Sequence, residues 1–184
     1  FFISAVLICI PLSFYYSFAN VFLNDLGMEG AAGKMIYGQI SEAIFILAIP
    51  FLYYRLGVKN ILIIGIAAWA LRFFFFANGD LETYYWMIIS GILLHGICYD
   101  FFFVTGYMYT ENKAGEKIKN AAQGLFTVAT YGIGMTIGSW FSGIITDSNT
   151  IEGIKNWGDI WMVPAYISGA VLLFLVIFFK EKNK

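Results

Sequence analysis

The 184-residue chain is 60% hydrophobic and 20% aromatic, with only 12% charged residues, where a soluble domain carries about a quarter. A net charge of -1 leaves no basic surface for nucleic acid, and a mean hydropathy of +0.74 places the chain in a lipid bilayer. Cys9 and Cys98 both fall in apolar runs, where cysteine acts as a small buried hydrophobe, so neither a disulfide framework nor a metal site is expected.

Six apolar runs follow one another, at roughly 1–26, 35–54, 61–78, 84–109, 121–146 and 160–179. Each is long enough to cross a bilayer as a helix of about 20 residues. None shows the strict in/out alternation of a barrel strand. The expected class is therefore an all-α integral membrane protein, a six-transmembrane-helix bundle filling 1–184. Pro11, Pro50 and Pro164 sit near run ends or at kinks that membrane helices tolerate. No basic n-region with a cleavage site precedes the first run, and the start at Phe1 suggests a piece of a longer protein.

The connections set an orientation. Arg55, Lys59, Lys113, Lys117, Lys119, Lys180, Lys182 and Lys184 lie on one side. The other side holds Lys34 and Lys155 among Asp25, Glu29, Asp80, Glu82, Asp147, Glu152 and Asp159. Lysine and arginine mark the cytoplasmic side, so both ends of the segment are expected there. The fifth run carries Gly134 and Gly138 as a GxxxG pair, with Ser139 and Gly143 repeating the spacing. Small residues four apart admit close helix packing or a sliding interface. The sixth run, with no charge from Val163 to Phe179, reads as a lipid-facing outer helix.

Three charges lie inside the runs: Glu42, Arg72 and Asp100. At about 1.5 Å of rise per residue they fall roughly 14–18 Å from the cytoplasmic ends, and His95 near 21 Å, close to the midplane of a core about 30 Å thick. Such groups are expensive in lipid and read as functional, with partners to be found. Matching depth on neighbouring helices suggests an Arg72–Asp100 ion pair, serving either function or helix pinning. Glu42 has no evident basic partner. It is a candidate proton carrier, or a carboxyl held neutral by hydrogen bonds. Gln39 and Glu42 share a face, as do Ser13 and Tyr16, with Asn20 one turn on. His95, Tyr99 and Phe102 line another, with His95 either a ligand contact or a satisfied buried histidine. His95 and Asp100 are five residues apart, about 140° on a helix, which argues against an intramembrane enzyme working through that pair. A purely structural six-helix protein would have no use for midplane charges.

With these residues in view, the chain resembles the C-terminal half of a major facilitator superfamily transporter, and within it the bacterial nucleoside:proton symporters. The resemblance is carried by Gly38-Gln39-Ile40-Ser41-Glu42 with Ile49-Pro50-Phe51, by Arg55-Leu56-Gly57-Val58-Lys59-Asn60 and by Ala68-Trp69-Ala70-Leu71-Arg72-Phe73. Tyr99-Asp100-Phe101-Phe102 and Ala122-Gln123-Gly124 complete it. It implies proton-coupled nucleoside uptake by alternating access across a bacterial inner membrane, with no cofactor and a second six-helix half as partner. It implies substrate binding at Gln39, Glu42, His95 and Tyr99, with Ser13 and Tyr16 contributing polar groups; the burial of unpartnered Glu42 points to proton coupling there, with Asp100 as the other candidate. The sequence departs from the family pattern at Ser13, Tyr16 and His95. A facilitator of another small polar solute, such as a sugar, is the alternative reading.

Overall fold

The computed structural model describes residues 1–180; Lys182 and Lys184, part of the orientation argument, lie outside the described residues. Among the described residues, five helices are long and apolar enough to cross a membrane: α1 (Phe2–Asp25), α2 (Ala31–Asn78), α3 (Tyr85–Ala114), α4 (Lys119–Ser148) and α5 (Trp157–Phe178). At 48 residues, α2 would span about 70 Å if straight, more than twice the hydrocarbon thickness. It is broken at one residue, Gly57, whose φ of 75° and ψ of 162° are non-helical. Only glycine enters that region without a steric penalty. Residues 31–56 and 58–78 are thus two arms, and Ile49 of the first meets Ile61 of the second in a small apolar cluster with Phe101. The basic stretch Arg55–Asn60, expected to be a loop, is helical except at that glycine.

Both arms of α2 pack on α3, while the first helix packs on α4 and α5, and α5 also packs on α2. The α1–α4 contact depends on small residues. A methyl group added to Gly134 would stand 2.7 Å from Cys9 Cβ, and one on Gly138 would stand 2.9 Å from Cys9 O. Gly143 faces open space, so the GxxxG pair packs and its echo does not.

Between α1, α2 and α5, Trp69, Phe73, Phe76, Phe22 and Trp161 are buried. Trp161 stacks on Phe73 at 5.7 Å and meets Phe76 and Phe22 edge-on at 5.3 and 5.4 Å. These offset and edge-to-face contacts are the favoured aromatic geometries. Because Trp161, Ser168, Val171 and Leu175 are buried, α5 is half interior and half lipid-facing, with Tyr166, Leu173, Ile177 and Phe178 outside. It is not the outer helix that its charge-free sequence suggested.

Two local features have no counterpart in the hydropathy pattern. Residues Asp100–Val104 of α3 and Val128–Gly134 of α4 are π-helical, a form that concentrates at functional sites. The two stretches are neighbours, with Phe103 5.8 Å from the Tyr131 ring. Between α4 and α5, Thr150–Ile151 and Ile154–Lys155 form a two-stranded antiparallel hairpin. Lys155 Nζ and Trp157 Nε1 both reach Asp25 Oδ2, at 3.1 and 3.2 Å.

Candidate functional site

The site is built from the crossing of α3 over the first arm of α2. Ser41 Oγ donates to Gly38 O at 2.8 Å and accepts from the Gly96 amide at 2.9 Å. A methyl group on Gly96 would lie 2.5 Å from the Ser41 carbonyl carbon and 2.6 Å from the Glu42 nitrogen. Backbone meets backbone there because neither Gly38 nor Gly96 carries a side chain, and the residues on either side, Glu42 and His95, are brought together. His95 Nε2 lies 3.4 Å from Glu42 Oε2.

The second imidazole nitrogen points the other way. His95 Nδ1 is 2.9 Å from Arg72 Nη1, on the second arm of α2. From α1, Tyr15 covers both groups. The Arg72 guanidinium carbon sits 3.6 Å from the Tyr15 ring centre, and the His95 ring stacks on the same ring at 5.2 Å. Arg72 is fully buried, and its Nε and Nη2 have no hydrogen-bond partner among the described residues. Cation–π contact over the Tyr15 face offsets part of that desolvation. Tyr15, Tyr16, Asn20, Met35, Gln39, Glu42 and His95 line a cavity of about 300 Å³, the lower end of small-molecule sites. Gln39 and Glu42 also border a recess of about 390 Å³ with Ala43 and Ile46. No group of three or more His, Cys, Asp or Glu among the described residues is placed to hold a metal.

Stacked rings, an amide and a carboxylate thus bound one cavity within the bundle. The family model for nucleoside H+ symporters matches residues 1–184. The chain belongs to the nucleoside H+ symporter family. It is 38% identical over 191 residues to YegT, a proposed nucleoside transporter of Escherichia coli K12, covering all of this chain and 45% of that protein. It is 34% identical to the xanthosine permease of the same organism, over 97% of this chain and 45% of the relative. The crystal structure of the nucleoside transporter NupG superposes with a TM-score of 0.90 at 33% identity, over 99% of this chain and 48% of NupG; a mutant form of NupG gives 0.92 at 32%, over 98% and 48%. The chain therefore spans about half the length of the relatives it matches, and it has the fold of one six-helix half of a major facilitator superfamily protein.

Within this symporter fold the sequence-selected residues divide. Tyr16, Gln39, Glu42 and His95 share the cavity wall. Tyr99 is in contact with His95, ring centres 5.7 Å apart, and its hydroxyl hydrogen-bonds the Tyr131 hydroxyl. Ser13 does not face the cavity. It is fully buried against α4, donating to Cys9 O at 2.9 Å with Met135 O at 3.3 Å, because the missing side chain of Gly138 leaves room for it there.

The Arg72–Asp100 ion pair does not form. Arg72 bonds His95, and both carboxylate oxygens of Asp100 are buried without a hydrogen-bond partner among the described residues. Depth placed the two charges at one level, but azimuth separates them. His95 and Asp100 point about 140° apart in an α-helix, and α3 turns π-helical at Asp100, so a guanidinium aimed at one is turned from the other. Glu42, expected to lack a basic partner, has His95 beside it.

Sequence reasoning passed over Tyr15, Met35 and Tyr131. Asn20 was readable from its spacing to Tyr16. Tyr15 was not, because adjacent helical residues point about 100° apart, and only the wrap of the bundle brings Tyr15 and Tyr16 to one cavity.

Proposed function

We propose that this chain is the C-terminal half of a secondary active transporter that couples nucleoside uptake to proton entry across a bacterial inner membrane, with both ends of the segment on the cytoplasmic side. One observation carries the reading: a carboxylate, Glu42, set beside Gln39 in a cavity of the bundle and 3.4 Å from an imidazole, in a member of the nucleoside H+ symporter family. The bias of Lys and Arg to one set of connections supports the orientation.

A nucleoside has an apolar-faced base and a hydroxylated ribose. Tyr16 offers a ring, half exposed in the cavity, on which a base can stack. Gln39 and Glu42 supply the groups that hydroxyls require. A carboxylate in a low-dielectric cavity is costly unless paired or protonated, so solute and proton binding at Glu42 become linked. Asp100, buried without a partner, is the second protonatable group. Transport would follow from rocking of this half against a second six-helix half about the midplane site.

The test is Glu42→Gln in the full-length transporter reconstituted in vesicles. This variant preserves shape and hydrogen-bonding capacity but cannot titrate. It is expected to bind and exchange uridine yet fail to concentrate it when an inward proton gradient is imposed. Undiminished proton-driven accumulation would move the coupling to Asp100 or to the other half.

A further inference from the structure

The contact between Arg72 and His95 fixes more than the position of the ring. A guanidinium has N–H donors and no acceptor, and it stays protonated in proteins. Its Nη1 stands 2.9 Å from His95 Nδ1, so the imidazole nitrogen must supply the lone pair. A proton on Nδ1 would set two N–H groups against each other. The ring is therefore neutral with its proton on Nε2. Nε2 is the atom that faces Glu42 Oε2 across 3.4 Å, longer than the usual N–H···O range, so this donor and this acceptor stand side by side without satisfying each other. Stacking on Tyr15 at 5.2 Å holds the ring in this orientation, and the Gly96–Ser41 crossing holds the two backbones.

We propose that Arg72 is a positioning residue that keeps the His95 proton on Nε2, so that His95 and Glu42 present one donor and one acceptor together to the 2′,3′-diol of a ribose and favour ribonucleosides over 2′-deoxyribonucleosides. The inference rests on reading the cavity as a nucleoside site. One hydroxyl donates to Glu42 and the adjacent one accepts from His95 Nε2–H, as vicinal hydroxyls can because each is both donor and acceptor. A substrate lacking one hydroxyl leaves one of the two groups unpaired, and sites built to hydrogen-bond a hydroxyl discriminate strongly. The other tautomer would set an Nε2 lone pair beside the carboxylate, two acceptors that repel each other when no solute is bound and offer the diol no donor.

His95 is the one histidine of this chain, which makes the test direct. Nitrogen-15 NMR of the full-length transporter labelled at histidine, in lipid bilayers, with the His95 signal assigned by its loss in His95→Gln, is expected to show an unprotonated Nδ1 and a protonated Nε2. A protonated Nδ1 overturns the proposal, and the only variant this measurement needs is the one that assigns the signal. Initial uptake of uridine and 2′-deoxyuridine is expected to differ in KM by about tenfold, the size of one lost hydrogen bond to a charged group. In Arg72→Met the two tautomers are expected to mix and the uridine KM to rise towards that for 2′-deoxyuridine, with kcat little changed. An equal preference in the unaltered protein, or a tenfold preference that survives in Arg72→Met, overturns the proposal. Failure of the unaltered protein to transport either nucleoside overturns the nucleoside reading of the cavity instead, and the NMR result then still reports on the tautomer.

Discussion

Two charged residues of this bundle, Arg72 and Asp100, are fully buried, and the structure treats them oppositely. Arg72 lies under the Tyr15 ring and bonds His95 Nδ1, with Trp69 and Phe76 within 6 Å of its guanidinium carbon. Asp100, at a similar depth, has neither oxygen hydrogen-bonded among the described residues. The first charge is built into a wall of rings and an imidazole. The second is left at the point where α3 changes from α to π geometry. Depth in the membrane decides how costly a charge is, and helical azimuth decides whether anything answers it.

The comparison is broken most severely at the crossing that brings α3 to α2. Gly96→Val would place side-chain atoms against the Ser41 carbonyl carbon and the Glu42 nitrogen, where even one methyl group comes within 2.6 Å. These are backbone atoms that cannot swing away, so α3 must retreat and carry His95 from Arg72 and Glu42. Overpacking of this kind costs about 3 kcal/mol or more. The variant should melt well below the unaltered protein in a thermal-shift assay and bind nucleoside poorly. Melting within about 0.5 kcal/mol of the unaltered protein would mean the crossing is not as close as described.

A double-mutant cycle sharpens the contrast between the two charges. Arg72→Met removes a cation–π contact and leaves His95 Nδ1 unpaired, and is expected to destabilise by about 2 kcal/mol. Asp100→Asn removes an unanswered carboxylate, and is expected to raise stability by about 1 kcal/mol rather than lower it. The two changes should add within about 0.5 kcal/mol, as independent sites do. A coupling energy above about 1.5 kcal/mol would reinstate the ion pair. Arg72→Met combined with His95→Gln should instead show coupling of about 1 kcal/mol, the net worth of one hydrogen bond.

The limits of the sequence follow from the same geometry. The all-helical membrane class is legible because apolar run length is a one-dimensional signal along the chain, and the half-transporter fold is legible through the resemblance carried by the Gly38–Glu42, Ala68–Phe73 and Tyr99–Phe102 segments. Tyr16, Gln39, Glu42 and His95 stood out as polar groups in apolar runs, and they do line one cavity. Which polar group answers which was not legible, since it depends on rotation about each helix axis. The π-helical stretches, which start at Asp100 and Val128, add a residue to a turn without changing hydropathy, and so pass unseen in the sequence. Ser13 was misplaced for a related reason: its partner is the space left by Gly138, which reads as small but not as a pocket. The hairpin at Thr150–Lys155 was hidden because its strands are two residues each. Its Glu152-Gly153 turn, with φ of 52° and 82°, is the left-handed pair that such tight hairpins need.

The smallest expected effect comes from a carboxylate outside the spans that is answered as fully as Asp100 is not. Asp80 Oδ1 accepts from the amides of Glu82 at 2.8 Å and Tyr84 at 2.9 Å, just before α3 begins at Tyr85. The Tyr84 amide, with those of Glu82 and Thr83 adding, holds the carboxyl below its ordinary value. These bonds favour the charged form, so the folded loop binds the proton less readily than the unfolded one. Its contribution is complete above the unfolded value near 4 and fades as pH falls through the lower folded value. Hydrogen exchange at the Glu82 and Tyr84 amides, corrected for intrinsic rates, should show level protection from pH 7 to about 5 and a decline below about 4. In Asp80→Asn the side-chain oxygen still accepts but no longer titrates, so the decline should vanish while part of the protection remains. In Asp80→Ala protection at both amides should be lost at every pH, with the melting temperature nearly unchanged, because an exposed loop contributes little to global stability. A decline that persists in Asp80→Asn would assign the titration to another group and leave Asp80 a neutral cap.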